Sequence, residues 1–135
     1  DTIAVADTVG FGGPAQVSQM ARELRKIFGD TFPISMHFHD TRGMAIANCA
    51  AALESGIRIL DGCLAGLGGC PFAPGATGNT VFEDMVFLCD TMGLPTGIDV
   101  EALAAPRAIL EAAMPDEPVH GALARAGLPK TLEDV

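Results

Sequence analysis

The sequence lacks several features that would assign it to a common functional class. It contains no Trp and no Tyr, so aromatic platforms for nucleobases or sugar rings are not expected. It has 8 basic against 17 acidic residues and a net charge of −9, which disfavours contact with nucleic acid phosphates. No apolar run approaches the roughly 20 residues of a membrane-spanning helix, and the first residues do not resemble a secretion signal. We therefore expect neither a nucleic acid nor a membrane partner.

The four cysteines have no C-x-x-C spacing, which argues against a zinc ribbon or a thioredoxin-type site. Because no secretion signal is present, the expected location is the cytoplasm, where thiols stay reduced, with the mitochondrial matrix as the alternative. Cys49 and Cys89 fall on apolar positions of helices and Cys63 in a strand, so each is expected to be an inert core thiol. The chain of 135 residues, 49% of them apolar, has the composition of a globular domain.

Short apolar segments alternate with amphipathic ones along the chain. Strands are predicted at 2–6, 33–37 and 57–64, and helices from Pro14 onward and at 44–55, 81–92 and 99–113, the last of them bent near Pro106. This βαβαβα order with mostly apolar strands predicts an α/β fold with a parallel sheet covered by helices. An open doubly wound sheet and a segment of a (β/α)₈ barrel both fit, and length alone favours the open sheet because a whole barrel needs about 250 residues. Residues 115–135 are predicted to form a tail on the surface.

A histidine pair follows the second predicted strand. In a strand, residues two apart point to the same side, so His37 and His39 are expected to converge on one point. They lie at the carboxyl end of the strand, the edge where parallel α/β sheets bind ligands. Imidazole is the commonest metal-ligating side chain, which makes a metal site one interpretation. The other is a pair of histidines that only form hydrogen bonds, because two ligands do not complete a site.

A glycine-rich stretch follows the third strand, with glycines at 66, 68, 69, 75 and 78. A loop of this length in a compact domain is usually a lid or a binding loop. Cys70 lies near its middle, and Asn79, whose amide oxygen is a candidate hard-metal ligand, closes it just before a helix. The simpler interpretation is a surface loop with an incidental cysteine.

A second glycine-rich turn, residues 10–13, fits the G-x-G-x-x-A dinucleotide pattern after the first strand. The fit is poor, because the acidic residue expected about 20 positions later would be Asp30, which precedes the next strand instead of ending it. Pro14 also removes one of the backbone amides that such a loop needs. The sequence therefore does not favour dinucleotide binding.

Four elements occur in order: Asp7-Thr8-Val9-Gly10, His37-Phe38-His39-Asp40-Thr41, Ala47-Asn48, and the run from Gly66-Leu67-Gly68-Gly69-Cys70-Pro71-Phe72-Ala73 to Gly78-Asn79. Together they resemble the C-terminal part of the 3-hydroxy-3-methylglutaryl-CoA (HMG-CoA) lyase family, which belongs to the metal-dependent TIM-barrel lyases and acyltransferases. The resemblance covers nearly the whole chain. It implies that residues 1–114 are the sixth to eighth strands and C-terminal helices of an incomplete barrel, followed by the tail at 115–135.

The resemblance also implies roles for individual residues. His37, His39 and Asn79 would ligate a divalent cation, Mg²⁺ or Mn²⁺. Asp7 would be an active-site aspartate, Glu83 an acidic residue near the metal, and Cys70 a proton donor. The lid loop would include Gly66, Gly68 and Gly69.

The implied reaction is cleavage of the carbon–carbon bond of HMG-CoA into acetoacetate and acetyl-CoA. The alternatives are a lyase or acyltransferase for another 3-hydroxyacyl-CoA or 2-oxo acid, or a metal-binding module without turnover. The family's first strand supplies a metal-ligating aspartate and a catalytic arginine that this chain lacks. We therefore expect the remaining barrel strands to come from a missing N-terminal half or from another copy of the chain, and the chain by itself to be inactive.

Overall fold

A computed structural model describes residues 1–69, 75 and 78–127, in which strands and helices alternate. The strands are β1 (Ile3–Asp7), β2 (Ile34–Phe38) and β3 (Ile59–Asp61). The helices are α1 (Pro14–Phe28), α2 (Ala45–Glu54), α3 (Phe82–Thr91), α4 (Ala104–Ala113) and α5 (Ala122–Ala126), with short 3₁₀ turns at Leu64–Gly66 and Glu101–Leu103. The predicted βαβαβα order is confirmed, and none of the described helices is long and apolar enough to cross a membrane.

The three strands pair in the order β1-β2-β3, and both pairings are parallel. The register sets Val5 against Met36 and His37 against Asp61. Since parallel neighbours need a crossover, α1 connects β1 to β2 and α2 connects β2 to β3. In the described part of the chain the sheet stays open and does not close into a barrel.

One face of the sheet forms the hydrophobic core. Alternate residues of β2, Ile34, Met36 and Phe38, are almost fully buried there against α1 and α2. The helices contribute small side chains such as Ala21 and Ala52, both with no exposed surface, so their backbones approach the sheet closely. The opposite face carries the intervening residues and is not covered by any described helix.

The structure corrects two element boundaries. The third strand is only Ile59–Asp61, shorter than the predicted 57–64, because the chain leaves the sheet after Asp61 and Cys63 pairs with Val81 in an isolated bridge. Cys63 therefore follows the strand instead of lying in it. The predicted helix at 99–113 is a 3₁₀ turn that runs into α4, and Pro106 falls in the first turn of α4, where its missing N–H breaks no helical hydrogen bond.

Candidate active site

β2 places His37 on the open face of the sheet beside a carboxylate that sequence reasoning missed. Its Nδ1 lies 2.8 Å from Oδ1 of Asp61, its register partner on β3. The Asp61 side chain is 73% exposed and that of His37 29%, so the pair is open to solvent. Because a carboxylate favours a proton on Nδ1, Nε2 of His37 keeps its lone pair for a ligand.

His39 lies just beyond the end of β2 and is buried. Its backbone pairs with Asn79 in an isolated antiparallel bridge, and its ring is 5.1 Å from the His37 ring in an edge-on arrangement. The two rings thus lie side by side, and their shared role as metal ligands stays a prediction. Nδ1 of His39 is buried without a hydrogen-bond partner among the described residues. A buried nitrogen in this state is costly unless a ligand or further polar group satisfies it.

The side chain of Asn79 is fixed by the turn that starts the glycine-rich stretch. Its Nδ2 donates to the backbone oxygen of Leu67 at 2.7 Å. Gly68 has a φ of +96°, and a Cβ there would lie 2.7 Å from Nδ2, so only glycine allows this approach. With the nitrogen committed to the turn, the amide oxygen is the atom of Asn79 suited to a hard cation.

These donors fit part of the coordination shell of a divalent cation. Two imidazoles and one amide oxygen are a mixed N/O set of the kind that octahedral Mn²⁺ or Mg²⁺ accepts, and the unpartnered Nδ1 of His39 marks a polar site that needs a further partner. Across 1–69, 75 and 78–127 there is no cluster of three or more His, Cys, Asp or Glu that could hold a metal ion. The remaining ligands of the cation would therefore be water, substrate or groups outside the described residues.

Asp7 ends β1, and its carboxylate organises the turn that follows. It accepts hydrogen bonds from the backbone N–H of Phe11 at 3.1 Å and of Gly12 at 2.8 Å. The buried Asn48 donates to the oxygen of Gly12 at 3.1 Å, and the Gly13 N–H donates to Gln16. The amides of this turn are thus used within the protein, which agrees with the poor dinucleotide fit. A catalytic role for Asp7 stays a prediction.

Glu83, in the first turn of α3, is fully buried and faces two partners. Its carboxylate accepts the backbone N–H of Ala65 at 3.1 and 3.2 Å and is 2.8 Å from Nη1 of Arg107 on α4. The Arg107 Nε also donates to Glu111 at 2.7 Å. Burial lowers the pKa of the Arg107 guanidinium, but its hydrogen bonds to Glu83 and Glu111 outweigh burial and the net shift is upward. Glu83 therefore reaches the site through the backbone at Ala65.

The glycine-rich stretch is only partly described. Gly66 is buried and a Cβ there would lie 2.9 Å from Val81, so it anchors the start of the stretch, whereas Gly68 and Gly69 are exposed. Cys70 lies outside the described residues, and its proposed part in proton transfer stays a prediction. His120, which lies in the segment predicted as a surface tail, donates its backbone N–H to the oxygen of Ala65 at 2.9 Å.

The three described cysteines are held as thiols. Desolvation by burial raises the pKa of Cys49 to about 12 and also raises the pKa of Cys63 and of Cys89. A raised pKa removes the reactive thiolate near neutral pH. The prediction that these thiols are inert agrees with this chemistry, although Cys63 is only partly buried.

The parallel sheet with a histidine pair at its carboxyl edge defines a class of protein. A family model described as HMGL-like matches residues 1–109, and the chain belongs to this HMGL-like family. Among curated relatives, the chain is 46% identical over 106 residues to hydroxymethylglutaryl-CoA lyase of Pseudomonas mevalonii, covering 76% of this chain and 34% of that protein. It is 42% identical over 125 residues to (R)-citramalyl-CoA lyase of Chloroflexus aurantiacus, covering 93% of this chain and 39% of that one.

Solved structures agree with this assignment. An HMG-CoA lyase from Acinetobacter baumannii, in complex with coenzyme A and 3-methylmalate, superposes with a TM-score of 0.87 at 41% identity, covering 96% of this chain and 42% of that chain. The match confirms the predicted partial TIM-barrel fold. The chain spans about a third of the length of the curated relatives it matches, 34% and 37% for the hydroxymethylglutaryl-CoA lyases of Pseudomonas mevalonii and Bacillus subtilis.

Proposed function

We propose that the protein is a metal-dependent acyl-CoA lyase that cleaves HMG-CoA into acetoacetate and acetyl-CoA. The observation that carries this proposal is the close approach of the His37 and His39 rings, with the backbone of Asn79 bridged to that of His39, at the carboxyl edge of the sheet. Similarity to lyases acting on this substrate supports the choice of acyl group. The A. baumannii complex, which contains coenzyme A, supports an acyl-CoA as the partner of the site.

In this proposal some residues hold or orient the metal ligands, and others transfer protons. A bound Mg²⁺ or Mn²⁺ would polarise the oxygens of the substrate and stabilise the alkoxide. Asp61 accepts a hydrogen bond at Nδ1 of His37 and orients the ring, so that Nε2 would be the atom that holds the cation. Leu67 orients the amide of Asn79 by accepting its N–H. Asp7 and Cys70 are the proposed acid–base groups, since cleavage requires removal of the hydroxyl proton and protonation of the acetyl-CoA enolate.

We further propose that the open face of the sheet packs against the remaining barrel strands, from an N-terminal half or from another chain. Ile59 on this face is 44% exposed, and exposed strands of this kind favour association. Size-exclusion chromatography with mass measurement tests this idea. A stable, well-folded monomer of 13.9 kDa would contradict it.

The lyase proposal is tested by His37→Ala. We expect the change to abolish divalent-metal-dependent release of acetoacetate from HMG-CoA by the active protein, because it removes a ligand and the partner of Asp61. The matched control is His120→Ala, which retains the backbone N–H that His120 donates to Ala65 and should keep most of the activity. Undiminished turnover in His37→Ala would refute the metal assignment.

A second candidate acyl group is citramalyl-CoA. The relative that acts on it aligns over 125 residues, more than the 106 and 112 of the two bacterial hydroxymethylglutaryl-CoA lyases. The ratio of kcat/KM for HMG-CoA and (R)-citramalyl-CoA decides between the two. We expect HMG-CoA to have the larger value, and the reverse order would transfer the assignment to citramalyl-CoA.

A further inference from the structure

Ala65 has an unusual backbone conformation next to the candidate active site. Its φ is +57°, and it is the one non-glycine residue with a positive φ among those the structure describes. The residue is completely buried. A left-handed conformation at a non-glycine residue is strained and persists only when neighbouring contacts hold it. At Ala65 the contact that holds the N–H is the carboxylate of Glu83, at 3.1 and 3.2 Å.

The Glu83 carboxylate is in turn held by Arg107. Nη1 of Arg107 lies 2.8 Å from Oε1 of Glu83, with side-chain exposures of 5% and 1%. A carboxylate this deeply buried needs a charged partner and several hydrogen bonds to stay ionised in one orientation. Arg107 supplies the charge, and the second bond from its Nε to Glu111 fixes the plane of the guanidinium. Arg107 therefore determines where the acceptor for the Ala65 N–H lies.

The same turn determines the position of the Asn79 side chain. Leu67 lies two residues after Ala65, and its backbone oxygen accepts Nδ2 of Asn79 at 2.7 Å. The backbone N–H of Thr80 donates to the oxygen of Phe38, and that of Phe82 donates to the oxygen of Cys63. These bonds fix the main chain that follows Asn79. A change in the turn at Ala65 would thus move the acceptor of the Asn79 amide while the backbone of residue 79 stays in place.

We propose that Arg107 is a positioning residue for the active site, acting through Glu83 and the Ala65 turn to orient the Asn79 amide. The effect of Arg107 on cation binding rests on the proposed function. The orientation of the amide itself does not. Arg107 lies in the middle of α4, outside the glycine-rich stretch and the histidine motif, and it contacts neither imidazole in the described structure.

The test compares Arg107→Met and Arg107→Lys with Val86→Ala in NMR spectra of the Asn79 side-chain NH₂ group. Val86 is a buried apolar residue on α3, the helix that carries Glu83, so its truncation weakens the packing of that helix without removing a hydrogen bond of Glu83, Ala65 or Asn79. We expect both Arg107 variants to shift the Asn79 NH₂ signals and to speed their exchange with solvent at least fivefold. Val86→Ala should leave them unchanged. Should Arg107→Met fail to fold, Arg107→Lys decides, because Lys keeps the charge but loses the planar fork.

The second measurement is Mn²⁺ affinity followed by the EPR signal of the free ion. Changes to groups that orient metal ligands typically cost about 10–100-fold in affinity, so we expect at least a tenfold higher Kd in Arg107→Met and a twofold change or less in Val86→Ala. Asn79 signals unaltered in both Arg107 variants would overturn the positioning role. Absence of Mn²⁺ binding by the unmodified protein would instead overturn the proposed function, and the NMR comparison would still decide the role of Arg107.

Discussion

The two faces of the sheet differ in what covers them and in what they carry. One face packs under α1 and α2 and buries apolar side chains, with Met36 2% exposed. The other face has no described helix over it and carries, besides the exposed Ile59, small or polar side chains: Ala4, Ala6, Ser35, His37 and Asp61. Because successive residues of a strand point to opposite faces, β2 serves both with a single run of five residues.

This difference shows that neighbouring residues of β2 have different tasks: Met36 packs in the core, and His37 faces the candidate site. A slip of one position in β2 would place His37 in the core and Met36 beside Asp61, which would leave an imidazole buried and a carboxylate unpaired. The close packing under the helices therefore also keeps the histidine on the open face. Changes on the two faces should accordingly affect different measured quantities.

The largest expected effect is on the covered face. Met36→Ala should lower the free energy of unfolding by about 2–5 kcal/mol, because it removes a buried side chain and leaves a cavity. Chemical denaturation measures this value. The matched apolar deletion is Ile27→Ala on α1, which is 70% exposed and should change stability by less than about 1 kcal/mol. Equal losses in both variants would contradict the distinction between core and surface drawn above.

An intermediate effect is expected on the open face. Asp61→Asn should raise the Kd for Mn²⁺ about tenfold, because the amide no longer holds the proton of His37 on Nδ1 by charge. Stability should change by less than about 1 kcal/mol, since the pair is exposed. Isothermal titration of Mn²⁺ and denaturation curves give the two values, with Asp90→Asn, an exposed carboxylate on α3, as the control. Unchanged affinity would show that Asp61 does not orient the histidine.

The smallest expected effect is on the pH dependence of stability, through Cys49 on α2 at the covered face of the sheet. Burial raises the pKa of Cys49 from 9.0 to about 12. The unfolded chain therefore releases this proton first, and stability is intact below pH 9 and is lost as the pH rises toward 12. We expect Cys49 to account for about 1 kcal/mol of lost stability at pH 10, so Cys49→Ala should show a shallower decline between pH 8 and pH 10. Equal slopes in denaturation curves would contradict the contribution of this thiol.

Much of the fold was predictable because it depends on local patterns. The apolar runs and helical spacings gave the order of strands and helices, and the two-residue period of a strand predicted that His37 and His39 meet. The exact end of β3 was not predictable. It coincides with the contact of Cys63 with Val81, which joins distant parts of the chain and which no local pattern at 57–64 shows.

The partners of the predicted site residues were not predictable from the sequence. Asp61 meets His37 only because β2 and β3 pair in one particular register, which no local pattern shows. Glu83 was expected near the site, but nothing in the sequence pattern pairs it with Arg107, 24 residues away on α4. Such pairs depend on the packing of whole helices, so the spacing of residues in one sequence does not reveal them.

The peptide units of Ala65 connect three distant parts of the chain. The N–H is bound by Glu83 on α3, and the carbonyl is bound by His120 shortly before α5. Loss of the segment around His120 would leave that buried carbonyl without its donor, so trimming the chain there would disturb the turn next to the candidate active site and not only the surface. The region after α4 therefore stabilises the turn at Ala65, and shortened versions of the protein should retain it.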